Sequence, residues 1–189
     1  MNSALRKYLG GDIDFSPEHE ELINSYFKPL ATKRNQVLVE KGTVARDLYF
    51  VVKGCLRIFL TDEQGNESTR FLIFEGSMGT AFPSFILRQP SFATVQSIEP
   101  SELLVLSYDD RETLLKTIPG WETQTRKRIE LEYISSILRI ESFISMNATA
   151  RYNELMRTNP EIILKLPSRI VADYLGISQE TLSRLKSKK

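Results

Sequence analysis

Between Lys28 and Ser107 the chain breaks into short runs rich in Val, Ile, Leu, Phe and Tyr, cut by Gly42, Gly54, Gly65 and Gly76. A glycine every eleven or twelve residues leaves room for one strand and one turn at a time, which is an all-β pattern. Strands are expected near 36–39, 47–53, 55–61, 67–74, 92–98 and 102–108, with Asp62 to Asn66 turning a hairpin. Several of these runs, such as Leu103-Leu104-Val105-Leu106, hardly alternate apolar with polar residues. Strands of that kind are covered on both faces, so the pattern predicts a closed or rolled sheet flanked by helices.

Helices precede and follow the sheet. Ser16 as N-cap, Pro17 at the first position and Glu18 and Glu20 in the first turn predict a helix over 17–27, burying Leu22, Ile23, Tyr26 and Phe27. After the sheet, Asp109 or Asp110 caps a short helix through Lys116, ended by Pro119 and Gly120. The stretch 121–146 then runs as one long helix with two apolar stripes. Tyr133, Ile137, Ile140 and Ile144 form one, and Leu131, Ile134 and Leu138 form its neighbour. One stripe can cover its own domain, here taken to be the second, turned toward the roll, with the exchange of the two stripes as the alternative. The other then needs a partner, for which the same helix of a second chain is the economical choice; a core helix wedged between two domains is the alternative. Asn147 breaks the pattern, and a further helix is expected over 148–157, before a turn at Asn159 and Pro160.

Composition narrows the function. At 189 residues, 41% hydrophobic and 26% charged, the chain suits one soluble domain plus a small appendage. No apolar run approaches the about 20 residues that span a bilayer. The start MNSALRKYLGGD has no signal-peptide core, so a cytoplasmic protein with no membrane partner is expected. His19 is the only histidine and Cys55 the only cysteine. That rules out a histidine-rich metal site in the sheet, a nucleophile paired with a histidine base there, and a cluster held by several cysteines. No Gly-rich phosphate loop precedes a helix. The reading is therefore not an enzyme, with no metal and no cofactor, and Cys55 is a small buried hydrophobe.

The segment 166–189 reads as two helices joined by a tight turn. Pro167 opens the first, Gly176 ends it in the left-handed conformation, and Ser178 caps the second, with Ile177 and Leu182 as a hydrophobic staple. Ala172 permits a close crossing, and Val171, Leu175, Ile177, Leu182 and Leu185 supply a core. Gln179, Glu180, Ser183 and Arg184 are left outside, where a helix-turn-helix presents side chains to the major groove. Arg184 suits guanine, Glu180 cytosine and Gln179 adenine, while Lys186, Lys188 and Lys189 can meet phosphates. The segment holds five basic residues, Arg169 among them, against Asp173 and Glu180, although the whole chain is only +1. An amphipathic helical hairpin with no DNA role would leave polar residues outside as well.

The glycine-punctuated segment GTVARDLYFVVKGCLRIFLTDEQGNE at 42–67 and the ETLSR run at 180–184 resemble the Crp/Fnr family of bacterial transcription regulators. The resemblance covers nearly the whole chain. It implies an α+β architecture: a double-stranded β-helix, the jelly-roll-like cyclic-nucleotide-binding β-roll, with the N-terminal helix in 1–120; a long dimerisation helix in 121–146; and a small all-α helix-turn-helix domain in 147–189. It implies duplex DNA and a second copy of the chain as partners, with RNA polymerase as a further one. By the same resemblance Glu180 and Arg184 inherit base contacts and Thr181 a supporting or phosphate-contacting role. The hinge falls at Asn147, so the rigid signal path ends at Met146. A sensor or interaction module that does not bind DNA is the alternative.

The sequence departs from the family pattern in two places. Nucleotide-binding members hold ribose and cyclic phosphate with a Gly-Glu pair and an Arg followed by Ser or Thr. Here, within 77–93, Thr80 follows Gly79, and Pro90 precedes Ser91. Without that arginine the phosphate loses its main counter-charge, so cyclic AMP is not expected in the usual mode. Arg88 lies two residues away and needs a shifted loop to aim inward. Met78, Phe82, Phe85 and Phe92 are expected to fill the pocket or to line one for an unidentified, more apolar effector, with Met78, Gly79, Thr80, Phe82, Arg88 and Ser91 as the candidate lining. Family members also continue into a β-hairpin wing, whereas this sequence stops at Lys189. The expectation is weaker DNA binding with a shallower salt dependence per subunit, unless the dimer or another protein compensates.

Overall fold

A computed structural model describes residues 1–10 and 15–187. The chain divides into two compact units, 1–60 with 70–127 and 61–69 with 128–189. In the first unit α1 (Ser3–Leu9) is capped by Asn2, whose side chain accepts from the Ala4 and Leu5 N–H groups at 3.0 and 3.2 Å. Next, α2 (Pro17–Tyr26) opens on Ser16, whose Oγ accepts from the His19 N–H at 3.3 Å. The strands are β1 (Lys28–Thr32), β2 (Val37–Val39), β3 (Asp47–Lys53), β4 (Cys55–Thr61), β5 (Glu67–Phe74) and β6 (Met78–Gly79). Then come α3 (Phe82–Leu87), β7 (Ala93–Ser97), β8 (Ser101–Ser107) and α4 (Tyr108–Thr117).

Two four-stranded sheets result, in the orders β1-β8-β3-β6 and β2-β7-β4-β5. In the first, β3 is central, its Tyr49, Phe50 and Val51 opposite Val105, Leu104 and Leu103 of β8. Leu48 to Val51 are all buried, whereas in the non-alternating run 103–106 Leu103 and Leu106 are buried and Leu104 and Val105 half-buried. One core gathers Phe50 of β3, Leu56 and Ile58 of β4 and Val95 of β7 with Leu5 of α1, Ile23 of α2 and Leu114 of α4. Between β3 and β4 the backbone passes through Gly54 at φ +98°, and a Cβ there would collide with the Ser101 side chain, so only glycine fits the turn.

Three features differ from expectation. The pairing of β1 with β8 places Pro29 opposite Leu104 on an edge strand, where a residue without an N–H is tolerated; that proline hid the strand. The second unexpected strand, β6, has only two residues, too few for a pattern. Ser107, not Asp109 or Asp110, caps α4, its Oγ accepting from the Asp110 N–H at 3.1 Å. The helix starts directly where β8 ends, so both aspartates sit in its first turn, where they favour the positive end of the helix dipole.

The long helix α5 (Trp121–Ser145) begins in the first unit, and its larger part belongs to the second. There it is followed by α6 (Ala148–Thr158), α7 (Pro160–Lys165), α8 (Ser168–Leu175) and α9 (Gln179–Lys186). Asn147 caps α6 through Oδ1 and the Ala150 N–H at 3.0 Å. The turn expected at Asn159 and Pro160 leads straight into α7, where Pro160 takes the first helical position and Ile162 and Ile163 are buried. The hairpin tip 61–69 also belongs to this unit. It is stiffened by the Asp62 carboxylate, which accepts from the N–H groups of Gln64 and Asn66 and from Asn66 Nδ2 at 2.8–2.9 Å.

Both stripes of α5 are exposed: Tyr133, Ile137, Ile140 and Ile144, and also Leu131, Ile134 and Leu138. The helix side that is partly covered is a third one, lined by Ser136, Arg139 and Ser142. Among the described residues, no helix is long and apolar enough to cross a membrane.

Candidate nucleic-acid interface and effector region

The two-helix reader closes at Gly176. There the Gly176 N–H donates to the Asp173 carbonyl and the Ile177 N–H to the Ala172 carbonyl, each at 3.0 Å, the paired bonds of a left-handed helix stop. Gly176 has φ +64°, and a Cβ on it would stand 2.7 Å from Phe143 Cε1 of α5. Val171, Ala172 and Leu175 of α8 and Leu182 of α9 are buried, with Ile177 and Leu185 partly covered. Ser178 caps α9, its Oγ accepting from the Thr181 N–H at 3.2 Å.

Gln179, Glu180, Ser183, Arg184 and Lys186 are exposed and Thr181 is half-buried. Arg184 donates to Thr181 Oγ1 at 3.1 Å, which holds the guanidinium along the helix. Lys186 Nζ lies 3.5 Å from Ser168 Oγ. A hydrogen bond from Ser178, its own N–H and the nearby Arg184 hold the Glu180 carboxyl below its usual range, so it stays an acceptor. Lys188 and Lys189 lie outside the described residues. The result is an exposed face that sets the fork-shaped donor of Arg184 beside the carboxylate acceptor of Glu180.

Two arginines that the sequence reading passed over secure the reader. Arg139 of α5 donates to the Tyr174 carbonyl at 2.7 Å and lies 3.8 Å from the centre of the Tyr174 ring. Arg151 of α6 donates to the Leu175 carbonyl at 3.1 Å and to the Met146 carbonyl at 2.7 Å. Each guanidinium lies 4.9 Å from the Phe143 ring. Together they satisfy the last carbonyls of α8, where the helix dipole favours positive charge. Burial lowers the Arg139 pKa, and the cost of desolvation is offset by these carbonyls and rings. For Arg139 the signal in the sequence was a cation on neither apolar stripe of α5.

The stretch 77–93 is not arranged as a phosphate cradle. Arg88 ends α3 at φ +55°, donates to the Ala45 carbonyl at 2.8 Å and lies 4.4 Å from the centre of the Tyr108 ring. The Ser91 hydroxyl donates to the Ala93 carbonyl at 2.7 Å and accepts from the Ala93 N–H at 3.0 Å, so it closes a local turn. Met78 and Gly79 are half-buried, and a Cβ at Gly79 would stand 2.5 Å from Ile73 Cδ1. Thr80 is buried, and its Oγ1 has no hydrogen-bond partner among the described residues. The expected aromatic filling is corrected. Phe85 is buried, but Phe82 is 36% exposed, because the short α3 turns only one of its two aromatics inward, and Phe92, in the loop before β7, is 84% exposed. An unanticipated buried cation sits in β4: Arg57 is 2% exposed, its guanidinium 4.3 Å from the centre of the Phe59 ring. No group of three or more His, Cys, Asp or Glu residues that could hold a metal occurs among the described residues.

The described residues thus carry two four-stranded sheets, a long helix and a capped two-helix unit in this order. Residues 30–117 match the cyclic nucleotide-binding domain family. The chain is 23% identical over 180 residues to the anaerobic regulatory protein of Pasteurella multocida, covering 89% of this chain and 65% of that protein's length. It is 25% identical over 175 residues to the cyclic AMP receptor protein of Thermus thermophilus, covering 90% and 80%. Among solved structures it is similar to the c-di-GMP responsive global regulator of Xanthomonas campestris, with a TM-score of 0.70, 16% identity and coverage of 92% and 91%. Residues 30–117 thus match the cyclic nucleotide-binding domain family, and the chain as a whole is similar to regulators of the Crp/Fnr type.

Proposed function

We propose that this chain is a Crp/Fnr-type transcriptional regulator. It reads duplex DNA as a homodimer, with α9 in the major groove and α5 paired with its copy through Tyr133, Ile137, Ile140 and Ile144. The observation that carries the reading is the exposed face of Gln179, Glu180, Ser183 and Arg184 on a capped, glycine-stopped second helix. Thr181 braces Arg184, and Lys186 faces the backbone. Such a regulator works in the cytoplasm and addresses RNA polymerase at the promoter. The test is anisotropy against a pool of duplexes at several salt concentrations. Arg184→Ala is expected to relax preference at one base pair of each half-site, by about 1–3 kcal/mol. Unchanged specificity would show the assigned face to be wrong, and no salt-sensitive binding at all would favour a sensor or interaction module that does not touch DNA.

The β-roll in this reading senses something other than cyclic AMP in the usual mode. What supports this is the engagement of Arg88 with the Ala45 carbonyl and the Tyr108 ring and of Ser91 with Ala93, which leaves neither beside a phosphate. Cyclic AMP is expected to leave the melting temperature unchanged; a saturable rise would overturn this part.

A further inference from the structure

The tip of the β4–β5 hairpin is held on the first helix of the reader, and this contact carries a consequence for DNA binding. Asp173 of α8 accepts the Thr69 N–H on Oδ2 at 2.7 Å and also accepts the Thr69 hydroxyl. Arg139 reaches the Thr69 carbonyl at 3.4 Å with the same Nη2 that holds the Tyr174 carbonyl. Thr69 is therefore gripped at its N–H, hydroxyl and carbonyl by residues at least 70 positions away in the chain. Two residues earlier on the same strand, Glu67 Oε2 stands 3.3 Å from Arg169 Nη2.

Arg169 lies in the first turn of α8. In a helix-turn-helix the first helix crosses the DNA backbone, so an arginine there is suited to a phosphate. The hairpin tip, 61–69, contains Asp62, Glu63 and Glu67 and no basic residue. It is a short polyanion seated on the helix that the DNA polyanion would cross, with one carboxylate already on the arginine.

We propose that the hairpin tip is a built-in competitor for the DNA backbone: Glu67 occupies Arg169, and the Thr69–Asp173 bonds anchor the tip that carries it. The proposal rests on the DNA-binding reading above. Release of the tip frees Arg169 for a phosphate and adds one counterion to the binding equilibrium. Because the same two strands run on into the β-roll, a change there has a covalent route to the clasp.

The test compares the full-length chain with Glu67→Gln and Thr69→Val by fluorescence anisotropy on a labelled duplex pool, across a salt series. Glu67→Gln removes one charge from a partly exposed pair and does not alter the groups of the Thr69–Asp173 bonds; Thr69→Val removes the anchoring hydroxyl at constant shape. Melting curves check that both are folded. The expected result is tighter duplex binding by about two- to fivefold for Glu67→Gln, with a salt slope steeper by about one phosphate contact, and a gain in the same direction for Thr69→Val. If the parent chain binds duplex and both folded variants bind no tighter, the competitor is refuted while the DNA reading stands. If no chain shows salt-sensitive binding, the DNA reading fails and the proposal with it.

Discussion

Cys55 and Tyr49 illustrate what burial does to single groups in this roll. Burial, reinforced by the Glu99 charge, pushes the Cys55 thiol from an ordinary value near 9 up to about 12. Burial, and next the Asp47 charge, also raises the Tyr49 phenol, whose hydroxyl donates to the Leu38 carbonyl at 3.3 Å. Both are neutral when protonated, so the folded chain holds these protons more tightly than the unfolded chain does. The thiol's stabilising share is complete below its ordinary value and is lost as the pH climbs from about 9 toward about 12, and the phenol's is lost only above its ordinary value of 10. Thermal melts should show a falling melting temperature across that window, with part of the fall removed in Cys55→Ala; a flat profile would mean that the thiol is not shielded. At this scale local features were readable in advance: the caps Ser16 and Ser178 and the stop at Gly176 depend only on near neighbours. Buried Arg57 and half-buried Arg139 and Arg151 were not, because a covered arginine is explained by partners that arrive from elsewhere in the fold.

Among the elements, six expected strands each overlap an observed one, since period and punctuation are local properties. The missed elements were those whose cause is tertiary. Pairing with β8 makes β1 a strand despite Pro29, and burial of Ile162 and Ile163 makes α7 a helix where Asn-Pro reads as a turn. The reader's turn is the element most sensitive to substitution. Gly176→Ala imposes a left-handed non-glycine residue, about 1–2 kcal/mol, and adds a contact with Phe143 that must be relieved. Denaturant unfolding should register a loss of at least that size, and an unchanged midpoint would show that the turn relaxes. Correctly placed exposed residues on α9 followed from amphipathic spacing, but the bond from Arg184 to Thr181 did not, because it depends on rotamers.

For the whole molecule the decisive feature is α5. Its seven stripe residues are exposed in the single chain, an apolar surface too extensive for a helix left in water. Tyr133 and Ile140, like Ile137 and Ile144, are seven residues apart, the repeat of a paired helix seam. Ile140→Glu should therefore convert a dimer to a monomer in light scattering and weaken binding to a two-half-site duplex; a variant that stays dimeric would move the seam to Leu131, Ile134 and Leu138.

By itself the sequence determined a rolled sheet, a long apolar helix and a glycine-stopped helical pair, because each is written in residue spacing and turn chemistry that act over a few positions. Only the tertiary structure decided that Arg88 turns to Ala45 and Tyr108, that Phe92 faces out, and that Thr69 is gripped by Asp173 and Arg139. Those outcomes depend on which distant groups meet, and the direction of a charged or aromatic side chain is settled by the partner that repays its desolvation or burial.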